Sequence, residues 1–457
     1  MFLKLTIVKK WGDNKMKKFL SLFMIVVVLT TLSTSVLADK FSTKDSKVVE
    51  GELIVSIEKP VGKYSIQSFD NQVEKHINTL NETGFEVKDS LLSSVFDGEV
   101  TISSKNNDFI SEVIEEVGYV YLVKYEDTGE SIEKVIQRLE DKLTEKGLKV
   151  KLIEPNYVVK MDGQIDSLQD FRSIRTEKIH EDQAWHYEMI NIPKAWEISS
   201  GNRNVKMAVL DTGIDYNHKN LKNYVNKSLG KNFTSNDTSD FMDRQGHGTH
   251  VAGTIASYGE ISGVMQEATL VPVKVLGDNG SGSTYNIMQG LIHATNEDVD
   301  VVNMSIRGWN YSEGMDNACR TAESRGVIVV AATGNDSMSQ IGYPARYDSV
   351  LSVGAVDSSG RRASFSNYGE GGVGVMAPGV DIYSTFLNNK YMYMSGTSMA
   401  TPHVAGVAGL IKSVNRNISA SKAKEIIKNT ANYAGDQYEY GSGIVDAYKA
   451  LEAVSGH

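Results

Sequence analysis

The sequence predicts an α/β protein whose mostly parallel central sheet carries helices on both faces, preceded by a small α+β module. Three observations carry this reading. Short, largely apolar runs recur at 205–210, 270–275, 299–306, 327–332 and 350–356. Helix-like stretches, such as 284–296 and 315–325, lie between several of them. Apolar strands that alternate with helices imply a parallel sheet buried on both sides. The chain before about residue 164 has a different texture, charged, with amphipathic rather than fully apolar segments.

In order along the chain, residues 1–38 read as an upstream extension followed by a signal peptide. Met16-Lys17-Lys18 gives a positive start, an apolar run follows from Phe19, and Val36-Leu37-Ala38 fits a small-x-Ala cleavage site. The expected outcome is export and release after cleavage near Ala38, with no stable membrane association. The alternative is a retained anchor, for which the apolar run is short.

Residues 39–164 form the α+β module. Gly51 to Ile57 has strand character. Ile132, Val135, Ile136, Leu139 and Leu143 recur at helical spacing, which predicts an amphipathic helix over 131–147. A strand is expected over 148–161. Residues 165–182 are polar and aperiodic and carry Arg172, Arg175 and Lys178; they read as a linker holding a processing site. The sheet-and-helix domain takes 183–457.

Composition narrows the function. The formal net charge of -10 disfavours nucleic acid, whose phosphates call for a basic surface. The single cysteine, Cys319, excludes an internal disulfide framework and reads as a small packed side chain within a helix.

The chemistry lies in three glycine-marked runs. Leu210-Asp211-Thr212-Gly213 ends an apolar strand, Gly246-His247-Gly248-Thr249-His250 opens a helix, and Ser395-Gly396-Thr397-Ser398-Met399 precedes another. A serine hydroxyl is a poor nucleophile near neutral pH. A histidine in hydrogen-bond reach can take its proton and return it to the leaving amine. A buried carboxylate fixes the imidazole tautomer and stabilises the imidazolium. Asp211, His247 and Ser398 supply these groups. Asn335, in Thr333-Gly334-Asn335-Asp336, and the backbone N–H of Ser398 are the candidate oxyanion donors, with Thr397 in a lesser supporting role. Pro402 is expected in the first turn of its helix, where a missing N–H costs little. Each residue alone has a plainer reading as a turn former or helix cap; four coincidences in this order are needed to sustain it. His250 reads as a hydrogen-bonded structural histidine, since no third metal ligand has suitable spacing.

These runs resemble the signature blocks of the subtilisin family of serine peptidases, the subtilases, over essentially 183–453. The region 49–161 is similar, more loosely, to the family's inhibitory propeptide. The resemblance implies a subtilisin-like fold and a secreted serine endopeptidase made as a zymogen. It would cleave peptide bonds through an acyl-enzyme, and its propeptide would serve as intramolecular inhibitor and folding aid and be removed autocatalytically. Its partners are protein or peptide substrates. The substrate strand would lie between Gly280-Ser281-Gly282 and Ser305-Ile306-Arg307. The floor of the primary pocket would be near Gly342, with room for a large side chain.

Two departures from the family pattern stand out. Arg307 replaces a small residue beside the pocket: it would turn the preference toward acidic or polar residues, Asp336 would turn it toward basic ones, and a solvated Arg307 would do neither. The chemistry needs no cofactor. Relatives bind structural calcium through a loop after the histidine helix. Here that loop is short and Asn220 stands where an assisting Asp would be, so the usual strong site is reduced. Within the peptidase reading, broad scavenging competes with maturation of one partner. A catalytically silent binding protein would be expected to have lost one of Asp211, His247, Ser398 and Asn335.

Overall fold

The computed structural model describes residues 47–59, 66–96, 104–161, 163–167 and 179–456. The expected signal peptide and the three basic linker residues lie outside them. Strands β1 (Val48–Ile57), β2 (Glu86–Ser90), β3 (Tyr119–Lys124) and β4 (Val150–Met161) make an antiparallel sheet in the order β4-β1-β3-β2. Helices Ile66–Glu82, Ser104–Glu116 and Ile132–Glu145 accompany this sheet. The last of these buries Val135, Leu139 and Leu143, as its spacing predicts.

After β5 (Gln164–Ser167), which makes the start of the expected linker a strand, comes the main sheet. Its parallel strands are β6 (Gly201–Asp211), β7 (Lys231–Asn232), β8 (Glu267–Lys274), β10 (Val301–Met304), β12 (Ile328–Ala332), β13 (Leu351–Val356) and β14 (Val375–Pro378). They run in the order β14-β13-β12-β10-β6-β8-β7. Every residue of β10, β12, β13 and β14 is buried, which is why these runs carry almost no polar side chains. Helices His247–Ile255 and Thr397–Val414 pack on the sheet and on each other; Thr284–Asn296 and Glu313–Ser324 do the same. Cys319 is buried in the last of these, where burial pushes its thiol pKa up, so its role is packing.

The apolar run 299–306 breaks at Ser305. Beyond it β11 (Ile306–Arg307) leaves the parallel sheet and pairs antiparallel with β4. On the other side of β4, β9 (Ser281–Ser283) pairs antiparallel as well. A third sheet joins β15 (Ile382–Phe386), β16 (Lys390–Ser395) and β5, all antiparallel. Asp211 ends β6, Ser305 follows β10 and Asn335 follows β12, so one end of the sheet gathers all three.

Candidate active site

Asp211 and His247 are fully buried and joined: His247 Nδ1 lies 2.8 Å from Asp211 Oδ1 and 3.0 Å from Oδ2. Asp211 Oδ1 also accepts the Thr212 N–H at 2.7 Å. The two segments approach so closely that a Cβ on Gly248 would stand 2.1 Å from the Gly213 carbonyl oxygen, so only glycine fits after the histidine.

Asp243, which sequence reasoning passed over, sets the start of the histidine helix. It accepts from the backbone N–H groups of Gln245 and Gly246 (both 2.9 Å), from Thr249 N–H (2.9 Å) and Thr249 Oγ1 (2.7 Å), and from Thr212 Oγ1 (2.9 Å). Thr212 Oγ1 in turn accepts the Gly248 N–H at 3.0 Å. One carboxylate thus ties the Asp211 turn to the His247 helix. The signal was present: an Asp three residues before a helix-opening Gly-His is a capping pattern.

His250 Nε2 lies 3.0 Å from the carbonyl oxygens of both Ile382 and Met392, so it fastens the helix to β15 and β16. Burial pushes its pKa down to about 3 and that of His403 to about 4, and it depresses His186 as well. These imidazoles therefore add no positive charge behind His247 near neutral pH.

Ser398 occupies the second position of the helix Thr397–Val414. Its hydroxyl donates to the Ser305 carbonyl at 3.0 Å. Pro402 falls in the second turn of this helix rather than the first, and the N–H it lacks is the one that Ser398 C=O would otherwise accept. Ser305 Oγ supplies the missing donor at 2.9 Å. Asn335 Oδ1 accepts both Thr397 N–H (2.8 Å) and Thr397 Oγ1 (3.0 Å). Because a backbone N–H can only donate, the amide orientation is fixed, with Oδ1 toward Thr397 and Nδ2 at the opposite end. Thr397 therefore orients Asn335 through its backbone N–H and its hydroxyl.

The chain's own β4 lies between the two segments expected to flank a substrate strand. Val158, Val159 and Lys160 pair with Ser283, Gly282 and Ser281, while Lys160 and Met161 pair with Arg307 and Ile306. Met161 N–H donates to the Gly280 carbonyl at 2.9 Å. Buried Val159 contributes to the lining of a cleft shared with Ile287, Gly308 and Tyr343. Gly163 then lies against His247, since a Cβ built on it would stand 3.2 Å from Nε2 and 3.3 Å from Met399 Sδ.

At Gly342, the expected floor of a roomy primary pocket, the side chain of Arg307 lies close by. A Cβ on Gly342 would stand 2.5 Å from Arg307 Cγ, and one on Gly334 would stand 2.7 Å from its Cδ. The arginine stem fills the space that both glycines leave. Its side chain is only 16% exposed, its guanidinium bonds Asp336 at 3.1 Å and sits 4.8 Å from the Trp309 ring centroid. It is therefore not a solvated residue.

The module is also bound through side chains that the sequence reading missed. Glu154 accepts from Ser312 Oγ (2.6 Å) and from the N–H groups of Glu313 (3.0 Å) and Gly314 (3.4 Å), capping the helix Glu313–Ser324. Asn156 Oδ1 accepts the Tyr285 N–H of the neighbouring helix at 3.1 Å.

The residues at the family's calcium loop do not fit the ion. Asn220 Oδ1 already accepts from Tyr391 OH (2.6 Å) and Glu260 N–H (3.3 Å), and its amide donates to the Ile261 carbonyl at 3.0 Å. The loop closes on itself through Gly263 N–H to Ser257 O at 2.8 Å. Among the described residues there is no cluster of three or more His, Cys, Asp or Glu side chains arranged to hold a metal.

A carboxylate-backed imidazole and a serine at a helix start are the groups that acyl transfer to a hydroxyl uses, and β4 runs as an extended strand between β9 and β11. The class these features define is a serine hydrolase acting on polypeptides. Comparison with known proteins gives the family. The subtilase family profile matches residues 202–443. Subtilisin Savinase of Lederbergia lenta is 44% identical over 269 residues, 58% of this chain and 97% of its own. Subtilisin DY of Bacillus licheniformis is 44% identical over 256 residues, covering 54% and 91%. M-protease of Shouchella clausii is 41% identical over 295 residues, covering 64% and 75%. The chain belongs to the subtilase family and is a subtilisin-like serine endopeptidase.

Proposed function

We propose that this chain is the precursor of a secreted endopeptidase, in which Asp211, His247 and Ser398 form the catalytic triad and residues 39–164 act as an intramolecular inhibitor that the enzyme removes from itself. The observation that carries the reading is the run of β4 between β9 and β11, followed directly by Gly163 against His247. A peptide bond is thereby led to a histidine whose other nitrogen is held by a buried carboxylate.

In the mechanism, rotation about χ1 of Ser398 turns its hydroxyl from Ser305 toward His247 Nε2. The oxygen attacks the carbonyl carbon as the imidazole takes the proton, and Asp211 stabilises the imidazolium. The tetrahedral oxyanion receives hydrogen bonds from Asn335 Nδ2 and the Ser398 N–H. The imidazolium then protonates the departing amine, leaving an ester on Ser398. Water, deprotonated by the same imidazole, cleaves the ester and regenerates the hydroxyl. No metal or cofactor takes part. Among the described residues no helix is long and apolar enough to cross a membrane.

The test is Ser398→Ala. It should leave the precursor at full length and lower turnover by about a million-fold, the size of the same deletion in subtilisin. A correctly sized mature product from purified Ser398→Ala would show that another peptidase does the cutting. A fluorophosphonate that fails to label Ser398 in the wild type would remove the nucleophile assignment. Detection of the mature enzyme in culture supernatant tests export.

A further inference from the structure

The side chain that fills the primary pocket is a cation, and its position sets which residue can precede the cleaved bond. We infer that Arg307 makes this enzyme selective for a carboxylate, Asp or Glu, on the acyl side of the scissile bond, and that its first cut is Asp162–Gly163 of its own chain. The inference rests on the peptidase reading above and deepens it.

The register supplies the first step. Lys160 faces Arg307 and Met161 faces Ile306. A substrate laid in the same register brings its next residue opposite Ser305, whose carbonyl accepts the Ser398 hydroxyl. The residue after that is represented here by Gly163, in van der Waals range of His247 Nε2. Met161 and Gly163 are the described residues on either side of this point, and the sequence has Asp162 between them, so Asp162–Gly163 is the bond proposed for the first cut. Gln164 next pairs with Ser395, three residues before Ser398, so the chain beyond the bond is held as well.

The second step is the chemistry of the pocket. The Arg307 stem lies across Gly334 and Gly342, leaving little depth for an aromatic or long aliphatic side chain. The guanidinium is held by Asp336 on one side and Trp309 on another. Its planar fork of N–H donors matches a carboxylate geometrically. A lysine or arginine in the substrate would meet like charge. Asp336 is the counter-ion that positions the fork; it is not the group that meets substrate. A small side chain would fit the shortened pocket but gain nothing from the cation.

The experiment uses the purified mature enzyme and a peptide series Tyr-Val-Val-Lys-Met-X-Gly-Gln with X as Asp, Glu, Ala, Phe or Lys. Asp and Glu should give kcat/KM at least about tenfold above Ala, Phe and Lys, with the advantage shrinking at high salt. Arg307→Ala should reverse the order toward Phe by reopening the space over Gly342, and Arg307→Lys should keep part of the acid preference. In the precursor, Asp162→Phe should slow self-processing at least about tenfold, and adding Arg307→Ala should restore it. Sequencing of the first processed product should begin at Gly163. An active enzyme that prefers Phe, Ala or Lys, or a first cut elsewhere, overturns the inference and leaves the peptidase reading standing. Absence of fluorophosphonate labelling and of cleavage of every peptide sinks the peptidase reading and the inference together.

Discussion

Ser305 and Ser398 exchange two hydrogen bonds: Ser305 Oγ donates to the Ser398 carbonyl at 2.9 Å, and Ser398 Oγ donates to the Ser305 carbonyl at 3.0 Å. The pair links the segment between β10 and β11 to the helix that carries Ser398. It also holds the Ser398 hydroxyl on a carbonyl while β4 lies between β9 and β11.

Pro402 is the reason that Ser398 C=O needs an outside donor. Ser305→Ala should leave this buried carbonyl without its partner and cost about 1–3 kcal/mol in unfolding free energy. Pro402→Ala in the same background should recover part of the loss by restoring a helical N–H. Chemical denaturation of the four combinations measures the coupling, and strict additivity would show that the two residues act independently.

Asn335 should matter for rate more than for affinity. Asn335→Ala is expected to lower kcat by about a hundred- to thousand-fold with little change in KM, the range measured when subtilisin loses its oxyanion asparagine. Thr397→Val keeps the backbone donor to Asn335 Oδ1 and removes the hydroxyl one, so a smaller loss, about tenfold, is expected. An effect of Thr397→Val as large as that of Asn335→Ala would mean that Thr397 does more than orient the amide.

Asp243 offers a sharper test of positioning. It is buried and receives five hydrogen bonds that hold the Asp211 turn against the His247 helix. Asp243→Asn turns one acceptor oxygen into an NH2 facing N–H donors. The expected cost is about 3–5 kcal/mol in stability, the usual penalty for breaking a buried charged network. Activity should fall alongside. Unfolding midpoints within error of wild type would remove Asp243 from this role.

The apolar runs made five strands of the main sheet legible because strands buried on both faces tolerate little else. The edge strands Lys231–Asn232 and Val375–Pro378 were not, being too short to show a pattern. Asp211, His247, Ser398 and Asn335 announced themselves through glycine-marked blocks. Glu154 and Asn156 did not, since a polar residue that caps a helix from a distant strand looks in sequence like any strand-edge polar group; Asp243 carried a capping pattern that the reading passed over. The filling of the pocket by Arg307 was invisible for another reason: it depends on two glycines, at 334 and 342, being brought under one side chain by tertiary folding.

Glu154 should make retention of the cut module depend on pH. Burial raises its pKa from 4.5 to about 7 in the bound form, against the opposing hydrogen bonds from Ser312 Oγ and the N–H groups of Glu313 and Gly314. Once the module leaves, the side chain returns to water and an ordinary carboxylate pKa. Between about 4.5 and about 7 the bound form therefore holds a proton that the free form has released. By linkage, association strengthens as pH falls through about 7, and this contribution is complete below about 4.5. Above the bound-state value both forms are ionised and the contribution no longer changes. The complex left after cutting should dissociate about 10- to 100-fold more readily at pH 8 than at pH 5, a figure set below the full shift because hydration relaxes buried charges. Glu154→Gln mimics the protonated acid and should flatten the profile, holding the module at alkaline pH. Dissociation followed by recovery of peptidase activity across this range, in both forms, measures it; a wild-type profile as flat as that of Glu154→Gln would assign the pH dependence elsewhere.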